Sequence, residues 1–310
     1  MANVLVTGGA GFIGSHLCSA LCQRGDRVRV IDNLSSGKKE NLGNLPVEFV
    51  EGDIRDRAVV DAAMAGIEVV FHQAAFVSVP LSMEDPTSCF DINQRGTETI
   101  LESARHAGVR RVVLASSAAV YGDSDQIPLG EDSALYPLSP YAVSKRVTEI
   151  YAEMYTRSFG LDVVALRYFN VYGPRQRPDS MYAAAVPIFA RRLMDGQTVS
   201  IYGDGLQTRD LVYVGDVVKA NLAAANHPAA PGQVFNVSSG AEITINALVD
   251  ELLSNFPQAS LPAYFPARQG DIYRSLGDPT KAAEMLGFTT DTSLKEGLKA
   301  VVDWMRGTSA

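Results

Sequence analysis

The feature that most constrains the fold is a regular alternation of short apolar runs with longer segments of helical pattern. The apolar runs are nearly continuous in Val, Ile and Leu, as in strands that are covered on both faces. They comprise residues 3–7, 28–31, 47–50, 69–72, 111–116 and 161–166. Helical patterns separate most of them, at residues 12–24, 57–65, 89–107 and 140–159. The alternation predicts an α/β fold, a doubly wound parallel sheet with right-handed crossovers.

The pattern changes after Arg167. Residues 173–178 have the composition of a loop, residues 235–237 predict another sheet strand, and helices are predicted over residues 186–194, 216–225, 246–255, 280–286 and 294–305. We therefore predict two interleaved domains. Residues 1–166 and roughly 211–238 form the sheet domain, and roughly 167–210 and 239–310 form a smaller, mixed C-terminal lobe.

Composition excludes several classes of function. The 310 residues carry 27 basic and 35 acidic side chains, a formal charge of −8, which argues against nucleic acid as a partner. No apolar run approaches the roughly 18 residues that a membrane span needs. The first residues lack the features of a signal peptide, so we expect a cytoplasmic protein. The three cysteines show no CxxC pair and the four histidines show no ligand spacing, so no metal site is predicted.

A glycine-rich turn follows the first predicted strand. Gly8, Gly11 and Gly14 form GxxGxxG, and Asp32 ends the second strand 18 residues after Gly14. Glycines let a pyrophosphate approach the backbone at a helix N-terminus, and an acid at this distance can accept hydrogen bonds from the adenosine ribose. The combination predicts a Rossmann-like dinucleotide-binding domain. Because Asp32 would repel a 2′-phosphate and residues 33–36 supply no cation, we expect NAD as the cofactor in preference to NADP.

Tyr141 and Lys145 lie four residues apart in a segment that opens with Ser-Pro, a favourable helix start. This spacing places both side chains on one helical face. Ser117 lies at the end of the preceding strand, where ligand crevices of parallel sheets are found. A surface tyrosine and a surface lysine would have the same spacing, so the spacing alone does not decide between these interpretations.

Six motifs together make the sequence similar to one known family. They are TGGAGFIG (7–14), GDI (52–54), QAA (73–75), SSAAVYG (116–122), YAVSK (141–145) and RYFNVYGPRQ (167–176). Over almost its whole length the chain resembles the extended short-chain dehydrogenase/reductase family, and within it the NAD-dependent nucleotide-sugar epimerase branch.

The resemblance implies roles for individual residues. Tyr141 would be the acid/base, Lys145 would bind the nicotinamide ribose, and Ser117 would orient the sugar hydroxyl. A neighbouring ammonium and the positive nicotinamide would lower the pKa of Tyr141 from its usual value near 10. The residues implied to contact or support the cofactor are Gly8, Gly11, Phe12, Ile13, Gly14, Asp32, Asn33, Asp53, Ile54, Gln73, Ala74, Ala75, Asn93, Lys145 and Tyr168.

The resemblance also implies a sugar-nucleotide pocket. Its diphosphate contacts would be Asn170, Arg209 and Arg268, and its nucleotide ribose contact would be Asp271. Tyr202 would stack on the base, and Ser275 would help to set the size of the sugar pocket, with Ser117 and Tyr141 at the reacting carbon. The arginines could equally form surface ion pairs, and Ser275 could be an ordinary loop serine.

The reaction type is predicted partly from an absence. Related 4,6-dehydratases carry an Asp-Glu pair after the catalytic hydroxyl residue, whereas here Ala118 and Ala119 follow Ser117. We therefore expect C4 epimerisation of a UDP-hexose (UDP-glucose/UDP-galactose, with UDP-GlcNAc/UDP-GalNAc also considered) through a transient 4-keto sugar. The alternatives are a UDP-glucuronate 4-epimerase or decarboxylase, another nucleotide-sugar oxidoreductase, or a non-catalytic dinucleotide sensor. The resemblance further implies a homodimer formed through the helices at residues 89–107 and 140–159.

Overall fold

The computed structural model describes residues 1–178, 184–267 and 272–308 of the chain. Twelve strands lie within these ranges: β1 (Asn3–Thr7), β2 (Arg27–Asp32), β3 (Val47–Glu51), β4 (Val69–His72), β5 (Arg111–Ser117), β6 (Asp162–Tyr168), β7 (Asn170–Tyr172), β8 (Ser200–Tyr202), β9 (Thr208–Tyr213), β10 (Val234–Val237), β11 (Glu242–Thr244) and β12 (Ala263–Phe265). Eleven α-helices lie in the same ranges: α1 (Phe12–Gln23), α2 (Arg57–Met64), α3 (Val79–Glu84), α4 (Pro86–Phe90), α5 (Gly96–Ala107), α6 (Pro140–Phe159), α7 (Ala185–Met194), α8 (Val214–Asn226), α9 (Ile245–Leu253), α10 (Thr280–Leu286) and α11 (Leu294–Thr308).

A seven-stranded parallel sheet forms the centre of the molecule. Its strand order is β10-β6-β5-β4-β1-β2-β3. The chain runs outward from β1 to β3 and then from β4 to β6 on the other side of β1, with Val4 opposite Val28 on β2 and Val69 on β4. The predicted doubly wound α/β fold is confirmed. Ligand crevices in such sheets lie at the carboxyl ends of the strands, where the order reverses.

Both faces of the sheet are buried. Val4 and Val6 of β1 pack with Leu17 of α1 in one cluster. Leu5, between them, packs on the opposite face with Ile100 of α5 and Ala152 of α6. Because side chains alternate along a strand, covering both faces requires apolar residues at successive positions. This explains the continuous apolar runs in the sequence.

A smaller lobe is built from short strands and three helices. β7, β9 and β11 form one sheet, and β8 pairs with β12 in another. Ile201, Phe189, Leu248 and Val302 are buried together between these strands and helices α7, α9 and α11. The lobe is mixed, as predicted. The exact domain bounds stay a prediction, although β10 (Val234–Val237) lies in the large sheet beside β6.

The helix predicted over residues 89–107 is confirmed as a continuous helical stretch, but a π-helical segment that the sequence did not predict, Asp91–Arg95, lies within it between α4 and α5. Such segments are frequent at functional sites. The sequence also did not predict α3, the six-residue strand β9 or the four strands of three residues each, and these four are too short to show a period. In the described part of the chain, no helix combines the length and apolar character that crossing a membrane requires.

Candidate active site

The turn between β1 and α1 has the shape of a phosphate cradle. Gly8 adopts a left-handed conformation (φ +67°), and a Cβ there would lie 2.7 Å from the backbone nitrogen of Ala74. A Cβ on Gly14 would collide with the carbonyl oxygen of Gly8. Gly11 caps α1 without a side-chain hydrogen bond, and Phe12 and Ile13 begin the helix, whose first turn holds no acid. The helix N-terminus is therefore available to an anionic group.

Asp32 ends β2 beside this turn, as predicted, and its side chain is buried. Its Oδ2 accepts a hydrogen bond from the Ala10 nitrogen (2.9 Å) and its Oδ1 accepts one from the Leu34 nitrogen (2.8 Å). Burial raises the pKa of the carboxyl group, and these hydrogen bonds oppose the rise. Since a carboxylate offers about four acceptor positions, Asp32 can still accept hydrogen bonds from a ribose.

A cation approaches the loop after β2 from a distant part of the chain. Arg177 Nη1 donates to the carbonyl oxygen of Ser36, at 3.3 Å and in an exposed position. Residues 33–36 themselves carry no cation, but the guanidinium group of Arg177 reaches this loop, and the sequence did not predict that contact.

A charged cluster lies beside the same loop. Asn33 Nδ2 donates to Asp53 Oδ2 (3.1 Å), and Arg55 bridges Asp53 and Asp91 at 2.8 and 2.6 Å. The hydrogen bond from Arg55 is the main reason that the pKa of Asp53 falls to about 2. Ile54, also assigned to the adenine region, is buried against the start of α5.

The segment after β4 is hydrogen-bonded to the carboxyl ends of β1 and β6. Ala74 donates its backbone N–H to Thr7 Oγ1 (3.1 Å), and Ala75 follows it in an irregular stretch. The amide nitrogen of Gln73 lies 3.1 Å from the Tyr168 hydroxyl, and Asn221 Nδ2 donates to the same hydroxyl at 2.8 Å. Burial raises the pKa of Tyr168 to about 12. Gln73 and Tyr168 therefore meet at the carboxyl edge of the sheet.

Tyr141, Lys145 and Ser117 lie together at this edge. Ser139 caps α6 by accepting a hydrogen bond from the Ala142 nitrogen at 3.1 Å, which starts the helix at Pro140. The Ser117 hydroxyl lies close enough to the Tyr141 hydroxyl to lower its pKa by hydrogen bonding. Lys145 Nζ lies 5.8 Å from the centre of the Tyr141 ring and donates to the carbonyl oxygen of Ala115 at 2.8 Å.

The two titratable groups of this trio have opposite pKa shifts. Burial raises the pKa of Tyr141, and the hydrogen bond with Ser117 opposes the rise. Burial lowers the pKa of Lys145 to about 8. The sequence predicts a lowered pKa for Tyr141, whereas burial raises it here and outweighs the effect of Ser117. A positive nicotinamide beside the ring would oppose this rise.

Asn93 fixes the backbone next to the trio. It lies in the π-helical segment, accepts a hydrogen bond from the Phe76 nitrogen (2.7 Å) and donates to Ser144 Oγ (2.8 Å). On the other side, Tyr141 donates its backbone N–H to Ser82 Oγ of α3 at 3.2 Å. The resemblance anticipated the supporting position of Asn93, whereas no sequence signal identified Ser82.

A buried ion pair behind the trio was also missed. Arg167 Nε donates to Glu149 Oε1 at 2.7 Å, with both side chains almost completely buried. Ser116 Oγ donates to the same carboxylate oxygen at 2.7 Å, and Arg167 Nη1 donates to the Tyr121 hydroxyl at 2.8 Å. The network ties β5, β6 and α6 together one helical turn beyond Lys145.

The lobe supplies the second group of predicted residues. Asn170 Nδ2 donates to the Asp210 carbonyl oxygen (3.2 Å), and Arg209 Nη1 donates to the Ile272 carbonyl oxygen (2.7 Å). The Tyr202 ring lies against Phe265, with 5.7 Å between ring centres. Ser275 is partly buried.

Arg268 and Asp271, assigned to the diphosphate and the ribose, lie outside the described residues. Within the described ranges, no group of three or more His, Cys, Asp and Glu side chains could hold a metal ion.

Comparison with known proteins identifies the family. Residues 4–238 match the model of the NAD dependent epimerase/dehydratase family. The chain belongs to this family. A putative UDP-glucose 4-epimerase of Methanocaldococcus jannaschii is 43% identical over 305 residues, which covers 98% of each chain.

Two solved structures are similar to the whole chain. The UDP-glucose 4-epimerase of Thermotoga maritima, solved with UDP-glucose, is 41% identical with a TM-score of 0.95, covering 99% of this chain and 100% of its own. The UDP-N-acetylglucosamine 4-epimerase of Methanobrevibacter ruminantium, solved with UDP-N-acetylmuramic acid, is 38% identical with a TM-score of 0.95, covering 99% of each chain.

Proposed function

We propose that this family member is a UDP-sugar 4-epimerase, an isomerase that uses NAD to invert C4 of a UDP-hexose such as UDP-glucose or UDP-galactose. The observation that carries the proposal is the meeting of Tyr141, Ser117 and Lys145 at the carboxyl edge of the sheet. The glycine turn with its uncapped helix and the carboxylate of Asp32 fit a bound dinucleotide. The full-length similarity to two epimerases supports the same activity.

In the mechanism, NAD supplies reversible hydride acceptance from C4 of the sugar. Tyr141 takes the proton of the C4 hydroxyl in the forward half and returns it after the 4-keto sugar has turned its other face. Ser117, which lies beside the Tyr141 hydroxyl, would orient the C4 hydroxyl for the transfer. Lys145 would hold the nicotinamide ribose by a hydrogen bond and, as an ammonium, would favour the phenolate.

The residues after Ser117 favour epimerisation over dehydration. A dehydratase must protonate a leaving hydroxyl, and neither Ala118 nor Ala119 can do so. Epimerisation needs one acid/base group and no second proton donor. Members of the family that are named dTDP-glucose 4,6-dehydratase are themselves 34–35% identical to this chain. Overall identity therefore separates the two activities less clearly than the residues that follow Ser117.

The decisive experiment is a substrate panel. The purified chain is incubated with UDP-, dTDP-, GDP- and CDP-sugars, and the products are separated by stereochemistry. We expect C4 epimers from the UDP-hexoses. A 6-deoxy or decarboxylated product without a C4 epimer would contradict the proposal and support a dehydratase, or the UDP-glucuronate decarboxylase alternative.

A second candidate substrate pair is UDP-GlcNAc and UDP-GalNAc. Ser275 is small, which leaves room for a 2-acetamido group, and the Methanobrevibacter ruminantium structure is that of a UDP-N-acetylglucosamine 4-epimerase. We expect Ser275→Tyr to depress turnover of the acetamido pair selectively, with Ser254→Tyr, at the exposed end of α9, as a control for bulk. Equal loss on both substrate pairs would count against a pocket role for Ser275.

Two further expectations stay predictions and form part of the proposal. The homodimer would use α6 and the segment from α4 to α5, and its mass can be measured by light scattering. The cytoplasmic location can be tested by fractionating the source cells.

We also propose the assigned contacts of Arg209, Arg268 and Asp271 with the sugar nucleotide. Alanine variants at these positions would reveal the contacts as weaker UDP binding.

A further inference from the structure

Three consecutive residues of β9 hold the segment that carries Ser275. The Thr208 nitrogen donates to the carbonyl oxygen of Tyr273 at 2.9 Å. Arg209 Nη1 donates to the carbonyl oxygen of Ile272 at 2.7 Å, and the Gly277 nitrogen donates to Asp210 Oδ2 at 3.1 Å. Residues 272–277, which we call the Ser275 segment, are thus attached to one strand at both ends.

Asp210 is the centre of these attachments. Its Oδ1 accepts hydrogen bonds from the nitrogen and the hydroxyl of Ser239, both at 2.7 Å. Its Oδ2 accepts from the Gly240 nitrogen at 3.2 Å as well as from Gly277. Its backbone carbonyl oxygen accepts from Asn170 Nδ2 at 3.2 Å. One residue therefore connects β9 with three other segments of the lobe.

A buried carboxylate is costly unless its charge is compensated by hydrogen bonds. Asp210 is fully buried, and burial raises its pKa while the four donors oppose the rise. In the described part of the chain these donors are three backbone amides and one hydroxyl, all uncharged. Within the described residues, the Asp210 carboxylate is therefore stabilised by hydrogen bonds from loop segments and not by a cation.

The site of attachment at Gly277 allows little movement. A Cβ at this position would lie 2.6 Å from Phe169 Cζ and 2.6 Å from both side-chain atoms of Ser238. Phe169 precedes Asn170 directly, so the Gly277 backbone is packed against the strand end that carries a predicted diphosphate contact. A shift of the Ser275 segment would therefore disturb both.

We propose that Asp210 is a positioning residue of the sugar-nucleotide pocket, which pre-forms the wall that bears Asn170 and the Ser275 segment. The inference rests on the proposed function, because that function places Asn170 and Ser275 in the pocket. The carboxylate itself does not touch substrate. It holds two contact elements in register, so that binding the ligand requires no ordering of the Ser275 segment.

The test compares two buried aspartates. Asp210→Asn removes the charge and turns a donor toward N–H groups. Asp216→Asn changes a buried carboxylate outside the pocket, which accepts from the backbone nitrogens of Asp291 and Thr292 and also pairs with Lys219 at 2.8 Å. We expect Asp210→Asn to weaken UDP binding to the NAD-loaded chain by about tenfold or more in calorimetry, as misplaced contacts do. We expect Asp216→Asn to lower the melting temperature similarly with UDP affinity unchanged.

Kinetics and amide exchange complete the test. In Asp210→Asn, KM should rise while kcat at saturating substrate and NAD content stay near wild type, and amides of residues 272–277 should exchange faster. Unchanged UDP affinity, or an equal loss in Asp216→Asn, would overturn the inference. If Asp210→Asn does not fold, Ser239→Ala takes its place, because it removes one hydrogen-bond donor to the Asp210 carboxylate. Unchanged UDP affinity in Ser239→Ala would also overturn the inference. A wild-type chain that binds UDP but forms no C4 epimer refutes the proposed function and leaves this comparison valid.

Discussion

Tyr141 and Lys145 owe their opposite pKa shifts to one cause, burial at the edge of the sheet. Burial disfavours the charged form of each group, so it raises the pKa of the phenol and lowers that of the ammonium. Each group is thereby moved away from the state that catalysis needs. Under the proposed function, a positive nicotinamide beside the phenol would favour the phenolate, so the base would become active only with the cofactor in place.

The first prediction concerns the acid/base itself. Tyr141→Phe removes the hydroxyl beside Ser117 and leaves the ring in place. We expect kcat to fall by about 10²–10⁴-fold, the usual contribution of a general acid–base, with NAD content and melting temperature retained. The measurement is epimer formation from UDP-galactose. Tyr136→Phe, at an exposed tyrosine of the preceding loop, is the control. Near-normal turnover of Tyr141→Phe would refute the assignment.

The second prediction concerns pH. In the holoenzyme, the Lys145 ammonium 5.8 Å from the ring favours the phenolate, so Lys145→Met should raise the pKa of Tyr141 further. The acidic limb of the pH–rate profile should then move to higher pH by about one unit or more. Lys145→Arg keeps the charge and should move the limb less. An unmoved limb in Lys145→Met would show that the lysine acts through cofactor binding alone.

Among the elements, α6 contributes most to the site, because one face carries Tyr141 and Lys145 and the next turn carries Glu149. Glu149 and Arg167 form an ion pair that is almost completely buried. Ser116 of β5 donates a further hydrogen bond to the Glu149 carboxylate. Ser117 directly follows Ser116. The ion pair therefore fixes the spacing between the strand that bears Ser117 and the helix that bears Tyr141.

The third prediction tests this clamp. Glu149→Gln leaves Arg167 buried without its counter-charge, which should cost about 3 kcal/mol or more of unfolding free energy. Glu153→Gln breaks an exposed pair with Arg157 on the same helix, and we expect no measurable change there. Both are measured by denaturant unfolding with UDP absent. Equal stability of the two variants would show that the buried pair does not hold the elements together.

Much at this scale could be predicted from sequence, and particular residues show why. The bounds of α6, Pro140–Phe159, agree with the prediction. Its start was predicted because Ser139-Pro140 is a favourable helix start, and in the structure Gly160, in a left-handed conformation, ends it. The strands β1 and β4 were predicted because burial on both faces demands unbroken apolar runs. Asp210, Glu149 and Ser82 were missed, because their partners are distant in sequence and no local pattern marks a side chain that meets a remote backbone.

For the molecule as a whole, acid stability depends on paired carboxylates. Arg55 holds the pKa of Asp53 at about 2, below its ordinary value of 3.8. The pairing therefore stabilises the fold fully above pH 3.8, and this stabilisation is lost as pH falls from there through about 2. The position matters for function as well, because Asp53 belongs to the predicted adenine region.

The fourth prediction follows from this titration. Melting temperature measured from pH 7 to pH 2 should fall less steeply below pH 4 in Asp53→Asn than in wild type, because the variant has no such proton to bind. At pH 7 the variant should be the less stable of the two. Asp56→Asn, at the N-cap of the neighbouring helix α2, is the matched control. Parallel curves for wild type and Asp53→Asn would contradict the assignment.

The place of β10 in the sheet has a consequence for how the chain is made. β10 covers the outer edge of β6, yet it is reached 69 residues later (Val237 against Tyr168). At roughly 5–20 residues per second, a nascent chain leaves this apolar edge bare for about 3–14 seconds. Bare edges of this kind pair with other chains. The interleaving of sheet and lobe thus makes translation speed between residues 168 and 237 a determinant of the yield of native protein.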